Sequence, residues 1–298
     1  MPGGRTRGRS YAGNAPPASW DESGVPKAVC RGDAHRARDA GRGMLEATAA
    51  AANPDVPPPL GGTVAVVTGA SSGLGRAIAV ALAARGAALH LVGRSAERLG
   101  TVADVARAMG AEARSYPADL ASDERIEELC AVLCSHLEQV DILVHSAGVI
   151  ALGRLEEASP AALDRQYRIN VRAPYILTQR LLPLIKRCQG QIVFINSSAG
   201  LSARGNVGQY AATKHALRAV ADSLRDEVNG DGVRILSVFL GRMASPMQEG
   251  VHRTEGRAYR PDRLVQPEDA AAVVLSALTL PRTAEVTDVT IRPLAKPQ

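Results

Sequence analysis

Thr68-Gly69-Ala70-Ser71-Ser72-Gly73-Leu74-Gly75 is the stretch whose reading decides the fold. An apolar run (Val64, Ala65, Val66, Val67) leads into it and an Ala-rich helical pattern leaves it, so it reads as strand, glycine turn and helix. Such a turn presents unpaired backbone N–H groups at a helix N-terminus, where the dipole is positive, and suits a pyrophosphate. Gly69 is placed for the tight turn, Gly73 for close approach of backbone to ligand, and Gly75 for close packing of helix on strand. Ser71, Ser72 and Leu74 fill the turn between them and complete the candidate phosphate site. Taken alone, the spacing also fits an ordinary strand-to-helix turn, so the rest of the chain has to decide.

From Gly61 onward, strand-like and helix-like segments alternate, the pattern of a parallel sheet covered by helices. A first helix (Arg76 to Arg85) stops at Gly86, and a strand over Ala88 to Val92 is followed by a helix from Ser95 to about Met109. A short strand around Arg114 to Tyr116 reaches Asp119-Leu120, and Ser122 can cap the next helix. The strand Asp141 to His145 opens into Ser146-Ala147-Gly148. Ser159-Pro160 starts a long helical region in which Pro174 and Pro183 predict bends or interruptions. Strands at Gln191 to Ile195, Val233 to Phe239 and Val286 to Ile291 alternate with helices at Tyr210 to Val228 and Pro267 to Leu278. The fold class is therefore α/β: a doubly wound, seven-stranded parallel sheet with helices on both faces.

The first 60 residues differ in kind, being rich in Gly, Arg, Pro and Ala without sustained periodicity and closing on Pro57-Pro58-Pro59. They read as a disordered basic tail, with the catalytic and nucleotide-binding domain over 61–298, and Met44 offers an alternative translation start. The tail also accounts for the charge. Of the formal net charge of +5, residues 1–43 supply a surplus of four, with eight Lys/Arg against four Asp/Glu. The remaining chain is nearly neutral and lacks a basic helix or aromatic platform, so nucleic acid is not an expected partner. No run of about 18 apolar residues predicts a membrane span, and no secretory h-region is evident.

Four cysteines (Cys30, Cys130, Cys134, Cys188) are too few and scattered for a disulfide framework, which predicts a reducing, cytoplasmic setting. Cys130 and Cys134, with His136 nearby, could suggest a metal site. Their helical spacing with Ile126, Leu129, Leu133 and Leu137 instead predicts buried core thiols and no bound metal.

Chemistry enters with Tyr210-Ala211-Ala212-Thr213-Lys214, which puts a phenol and an ammonium on one helical face. Ser197 lies upstream at the end of a predicted strand, at the carboxyl edge where an α/β sheet places its ligand. With the glycine turn, Asp119-Leu120, Ser146-Ala147-Gly148, Asn170 and Leu240-Gly241, these motifs in this order resemble the short-chain dehydrogenase/reductase family in its short single-domain subtype, over about Thr63 to Pro293. The resemblance implies a Rossmann fold and an NAD(P)-dependent oxidoreductase interconverting a carbonyl and a secondary alcohol, working as a homodimer or homotetramer.

Carried over onto this sequence, the resemblance makes Tyr210 the general acid in reduction and the base in oxidation. The Lys214 ammonium and the positive nicotinamide ring of the oxidised cofactor lower the phenol from its ordinary value of about 10, and Lys214 bonds the nicotinamide ribose. Ser197 holds the substrate oxygen, and Asn170 fixes a helix distortion and a water relaying protons to Lys214. Gly69, Gly73, Gly75, Asp119, Leu120, Ser146, Ala147, Gly148 and Gly241 join Tyr210 and Lys214 around the cofactor. Two positions depart from the family pattern: Ser146 stands where Asn is usual, and Leu240 where Pro is usual.

The second strand bears on cofactor choice. An NAD enzyme places a carboxylate at its end for the ribose 2′-OH, but here Gly93 takes that position and Arg94 follows. A guanidinium pairs with phosphate, so Arg94, with Ser95, favours NADP(H), NAD(H) remaining the alternative. The substrate pocket falls to Val149 to Arg154, Ser198 to Gln209 and Arg242 to Arg263. The last of these mixes His252 and several arginines with Glu249, Glu255 and Asp262, and reads as a solvated lid or as a site for an anionic substrate. A nucleotide-sensing protein that has lost catalysis is the alternative function, opposed by the intact Ser197, Tyr210 and Lys214.

Overall fold

The computed structural model describes residues 60–294. The readings made of the tail, including its disorder, Met44 and Cys30, lie outside the described residues. One boundary moves: Leu60, assigned to the tail, is buried among the core side chains, and its N–H donates to the Arg85 carbonyl.

Seven parallel strands form one sheet in the order β3-β2-β1-β4-β5-β6-β7. They are β1 (Val64–Thr68), β2 (Ala88–Gly93), β3 (Ala113–Pro117), β4 (Ile142–His145), β5 (Gln191–Ser197), β6 (Arg234–Leu240) and β7 (Asp288–Ile291). Helices α1 (Gly73–Ala83), α2 (Ala96–Ala108) and α8 (Pro267–Leu278) cover one face; α3 (Asp123–His136), α5 (Ala173–Arg187) and α6 (Gly208–Val228) cover the other. The strand residues sort by alternation. Ala65 and Val67 of β1 face the α1 side with Ile142 and Val144, while Val66 faces the α3 side with Leu143 and Phe194. The strand order reverses between β1 and β4, where an open α/β sheet leaves a crevice at its carboxyl edge.

The long helical region expected after Ser159 divides differently from the expectation. Pro160 opens α4 (Pro160–Tyr167), Pro174 sits in the first turn of α5, and α5 continues through Pro183. The interruption is a π-helical turn over Arg168–Arg172, centred on Asn170. Cys130 is buried, and burial pushes its thiol up to about 12. Cys134 is exposed, contrary to the shared buried face, with its Sγ 3.9 Å from the Arg180 carbonyl of α5. No helix among the described residues is long and apolar enough to cross a membrane.

Candidate active site

At the carboxyl edge of β1, Thr68 is 1% exposed and joins two strands. Its hydroxyl donates to the Val144 carbonyl at 3.2 Å and accepts from the N–H groups of Ser146 and Ala147 at 3.1 and 3.2 Å. The glycine turn packs directly on this link. Gly69 has φ +68°, and a Cβ there would stand 2.7 Å from the Ala147 nitrogen; one on Gly75 would stand 2.3 Å from the Gly69 carbonyl oxygen. A side chain at Gly69 would drive apart the two edges of the crevice, and one at Gly75 would push α1 off its own turn.

The start of α1 suits an anion. Ser72 makes no side-chain cap bond, and no acidic side chain occupies the first turn. The nearest atom to a Cβ built on Gly73 is Ser245 Cβ at 3.6 Å. Uncapped N–H groups lining the cleft, with no side chain at Gly73 to stand before them, fit a pyrophosphate. By contrast, Ser95 and Ser122 cap α2 and α3 by accepting from Arg98 and Arg125. The Ser95 hydroxyl, read beside Arg94 as favouring a phosphate, accepts this cap bond and keeps its own hydrogen to donate.

A cleft of about 700 Å³ runs along this edge, lined by Gly69, Ser71, Ser72, Gly73 and Leu74 at the turn and by Arg94, Asp119 and Leu120 farther out. Ser146, Ala147, Gly148, Ser197, Tyr210, Lys214 and Gly241 complete the wall. Of the residues singled out in the sequence, Gly75 and Asn170 stand behind this wall and shape it. Arg94 and Asp119 are exposed, and Leu120 is buried.

Ser197 is the last residue of β5, which runs two residues past its expected end. Its Oγ accepts from the Ala199 N–H at 3.1 Å, starting a 3-10 turn over Ser198–Gly200. That turn lies close against α6, since a Cβ on Gly200 would sit 2.5 Å from Asn196 Oδ1 and 2.9 Å from the Lys214 carbonyl oxygen. Tyr210 and Lys214 project from α6, with Lys214 Nζ 5.9 Å from the centre of the phenol ring. Lys214 is 4% exposed, and Nζ donates to the Ile195 carbonyl at 2.9 Å. Asn170 accepts from the Val149 N–H and donates to the Val149 carbonyl, both at 2.9 Å, and donates to Thr213 Oγ1 at 3.1 Å. The helix distortion expected at Asn170 is present; its contact with α6 runs to Thr213, while Lys214 is held by Ile195.

Burial acts on both titratable groups of this constellation. Burial pushes the Tyr210 phenol above its ordinary value, an effect the Ser197 hydroxyl opposes. Burial also brings the Lys214 ammonium down to about 8.

The sequence pattern described as "short chain dehydrogenase" matches residues 63–256. The chain belongs to the short-chain dehydrogenase family. An uncharacterised oxidoreductase of Staphylococcus epidermidis is 33% identical over 232 residues, 78% of this chain and 97% of the relative. Two solved structures are similar. One, an alcohol dehydrogenase from the archaeon Thermococcus sibiricus complexed with 5-hydroxy-NADP, is 28% identical, with TM-score 0.72 over 79% of this chain and 99% of the other. The other, a metagenomic short-chain oxidoreductase in complex with NADP, is 32% identical, with TM-score 0.68 over 80% of this chain and 100% of the other.

In this short-chain dehydrogenase the region from Arg242 is ordered around a helix that the sequence reading passed over, α7 (Pro246–Thr254). Ser245 caps it by accepting from the Gln248 N–H at 3.2 Å, with Pro246 in the first turn, so the signal was present in the Ser-Pro pair. Arg242 and Glu255 close the segment with two parallel bonds at 2.7 and 2.8 Å. The other arginines proposed as an anion site do not gather in the cleft: Arg253 faces Glu249 at 4.0 Å and Arg257 faces Glu255 at 3.8 Å. The departures from the family pattern are also accommodated. Ser146 is held through its backbone by Thr68, and Leu240 is 7% exposed within the core.

Proposed function

We propose that this oxidoreductase uses NADP(H) to interconvert a carbonyl and a secondary alcohol, with Tyr210 as general acid and base. The observation that carries the reading is the convergence of Ser197, Tyr210 and Lys214 on one cleft with the uncapped N-terminus of α1. Gly69 to Leu74 would hold the pyrophosphate, Arg94 the adenosine 2′-phosphate, and Lys214 the ribose hydroxyls of the nicotinamide half. When bound, the reduced nicotinamide supplies the hydride. Ser197 donates a hydrogen bond to the carbonyl oxygen, and Tyr210 transfers its proton to the same oxygen as charge develops there. Burial keeps the phenol protonated near neutral pH, which suits proton donation. Ile195 fixes Lys214 from behind and leaves its remaining N–H groups for the cofactor.

The guanidinium of Arg94 and the absence of a carboxylate at Gly93 and Arg94 support NADP(H) over NAD(H). Arg94 lies at the exposed outer end of the cleft. The proposed active unit is residues 60–298, paired through the face of α4 and α5 that leaves Leu163, Tyr167 and Tyr175 exposed. A screen of carbonyls and alcohols with NADPH, NADH and their oxidised forms tests this reading. Turnover with preference for the phosphorylated cofactor is expected. Tight NADPH binding without turnover of any compound would favour a nucleotide sensor.

A further inference from the structure

Behind the cleft, Gln166 is 1% exposed, yet its amide is engaged at both ends. Oε1 accepts from the Ala151 N–H at 3.0 Å; Nε2 donates to the Ala162 carbonyl at 3.2 Å and to Gln209 Oε1 at 3.1 Å. Gln209 donates in turn to the Ser159 carbonyl at 2.9 Å and directly precedes Tyr210. Asn170 holds Val149 on both backbone groups, and the Gly153 N–H donates to the Asn206 carbonyl at 2.9 Å. The tethers therefore fall on residues 149, 151 and 153. Ile150 and Leu152, between them, line the cleft.

Other apolar side chains at this end come from the loop after β5 (Leu201, Val207) and from α7 (Met247, Val251). Leu201 and Met247 are 41% and 43% exposed, an arrangement that favours an apolar ligand able to cover them. Of the polar side chains here, Arg242 already has a partner in Glu255, while Ser202, Arg204 and Gln248 line the cleft beside the apolar ones. A polyhydroxylated substrate would bury hydroxyls against Ile150 and Leu152 without partners, each costing roughly tenfold in affinity.

We infer that the substrate end of the cleft is a preset apolar slot for ketones and secondary alcohols with a hydrocarbon body, and that Gln166 is the positioning residue that holds its 149–153 wall in register with Tyr210. The inference rests on the oxidoreductase reading above and specifies its substrate class.

The test uses the full chain with saturating NADPH and two probes, 2-octanone and D-fructose. The expected kcat/KM is at least about 100-fold higher for 2-octanone, the equivalent of two unpaired hydroxyls. Gln166→Met should raise KM for 2-octanone about tenfold while kcat stays within about threefold and the NADPH Kd is unchanged, a split that general destabilisation would not produce. Amide exchange over residues 149–153 should accelerate in the same variant while β4 and β5 stay protected. If Gln166→Met fails to fold, Leu152→Ser carries the test through a rise in KM for 2-octanone alone. Fructose reduced as efficiently as 2-octanone, or a Gln166→Met variant that loses kcat with KM unchanged, overturns the slot and leaves the oxidoreductase reading standing. Turnover of another compound in the screen but of neither probe overturns the slot alone; NADPH binding with no turnover of any compound overturns that reading, and the slot with it.

Discussion

Burial acts in opposite directions on the two titratable groups one turn apart in the cleft, pushing the Tyr210 phenol up and bringing the Lys214 ammonium down to about 8. Near pH 7 both keep their protons, the state required of a donor and of a ribose-binding cation. Tyr210→Phe should therefore lower kcat by about 100-fold or more while the NADPH Kd stays within about twofold, because the ring still packs beside Lys214. Lys214→Ala should weaken both quantities, since it removes the group fixed on Ile195. A Tyr210→Phe enzyme keeping more than about a tenth of kcat would end the acid/base assignment. At the outer end of the cleft, Arg94→Ala should raise the Michaelis constant for NADPH by about 10- to 100-fold, the loss of a charge-assisted pair, and leave that for NADH nearly unchanged. Equal changes for both cofactors would rule out phosphate recognition by this side chain.

Elements differ in how their ends are secured. The α3 helix is laced to the π-helical turn by the Arg172–Asp123 pair at 2.7 Å and to α5 by the Arg180–Glu127 pair at 2.8 Å, but these side chains are about half exposed and add little to stability. The Arg242–Glu255 pair is more sheltered, with side chains 26% and 23% exposed, and it spans the whole of α7. The Arg242 bonds hold the Glu255 carboxyl below its ordinary range. Glu255→Gln would leave the cation of Arg242 facing the cleft with a weaker neutral acceptor. Amide exchange in α7 should then speed up several-fold, and KM for the carbonyl substrate should rise more than kcat falls. Unchanged exchange in α7 would show that the Ser245 cap and the Tyr259 hydroxyl, which accepts from the Ser245 N–H at 3.1 Å, secure the helix without the ion pair.

The whole molecule carries an acid sensitivity in its sheet. His145 on β4 is 2% exposed, stacked on Phe194 at 5.0 Å, and bonded through Nε2 to Thr178 Oγ1 at 2.8 Å. Burial lowers it from 6.5 to about 3, and lowers His90 to about 4. Between these values and 6.5 the unfolded chain binds more protons than the folded one, so stability falls as pH drops through that window. At pH 5 His145 alone should cost about 2 kcal/mol relative to pH 7.5. Melting curves at the two pH values, compared with His145→Leu combined with Thr178→Val, should show a smaller pH difference in the double variant; an equal difference would acquit His145. Light scattering at micromolar concentration addresses assembly. A dimer or tetramer is expected, and Tyr167→Glu with Tyr175→Glu should dissociate it, whereas a monomeric parent protein would remove the proposed role of the α4–α5 face.

The alternation of strand and helix, the glycine turn and the Ser197, Tyr210 and Lys214 spacing were determined by the sequence alone. Each is a local signal: periodicity of apolar residues, backbone freedom at Gly69, or positions one turn apart on a helix. The ends of β5 and the helix at Pro246–Thr254 were less legible, because short polar segments take their form from contacts distant in the chain. Only the tertiary structure decided what lies behind the cleft. Thr68 bridging Val144 and Ala147, Gly200 seated against Lys214, and Asn170 clasping Val149 join residues between 14 and 79 positions apart. Burial was likewise decided there, exposing Cys134, bringing Leu60 into the core and pushing up the Tyr210 phenol, since desolvation depends on packing that no local pattern records.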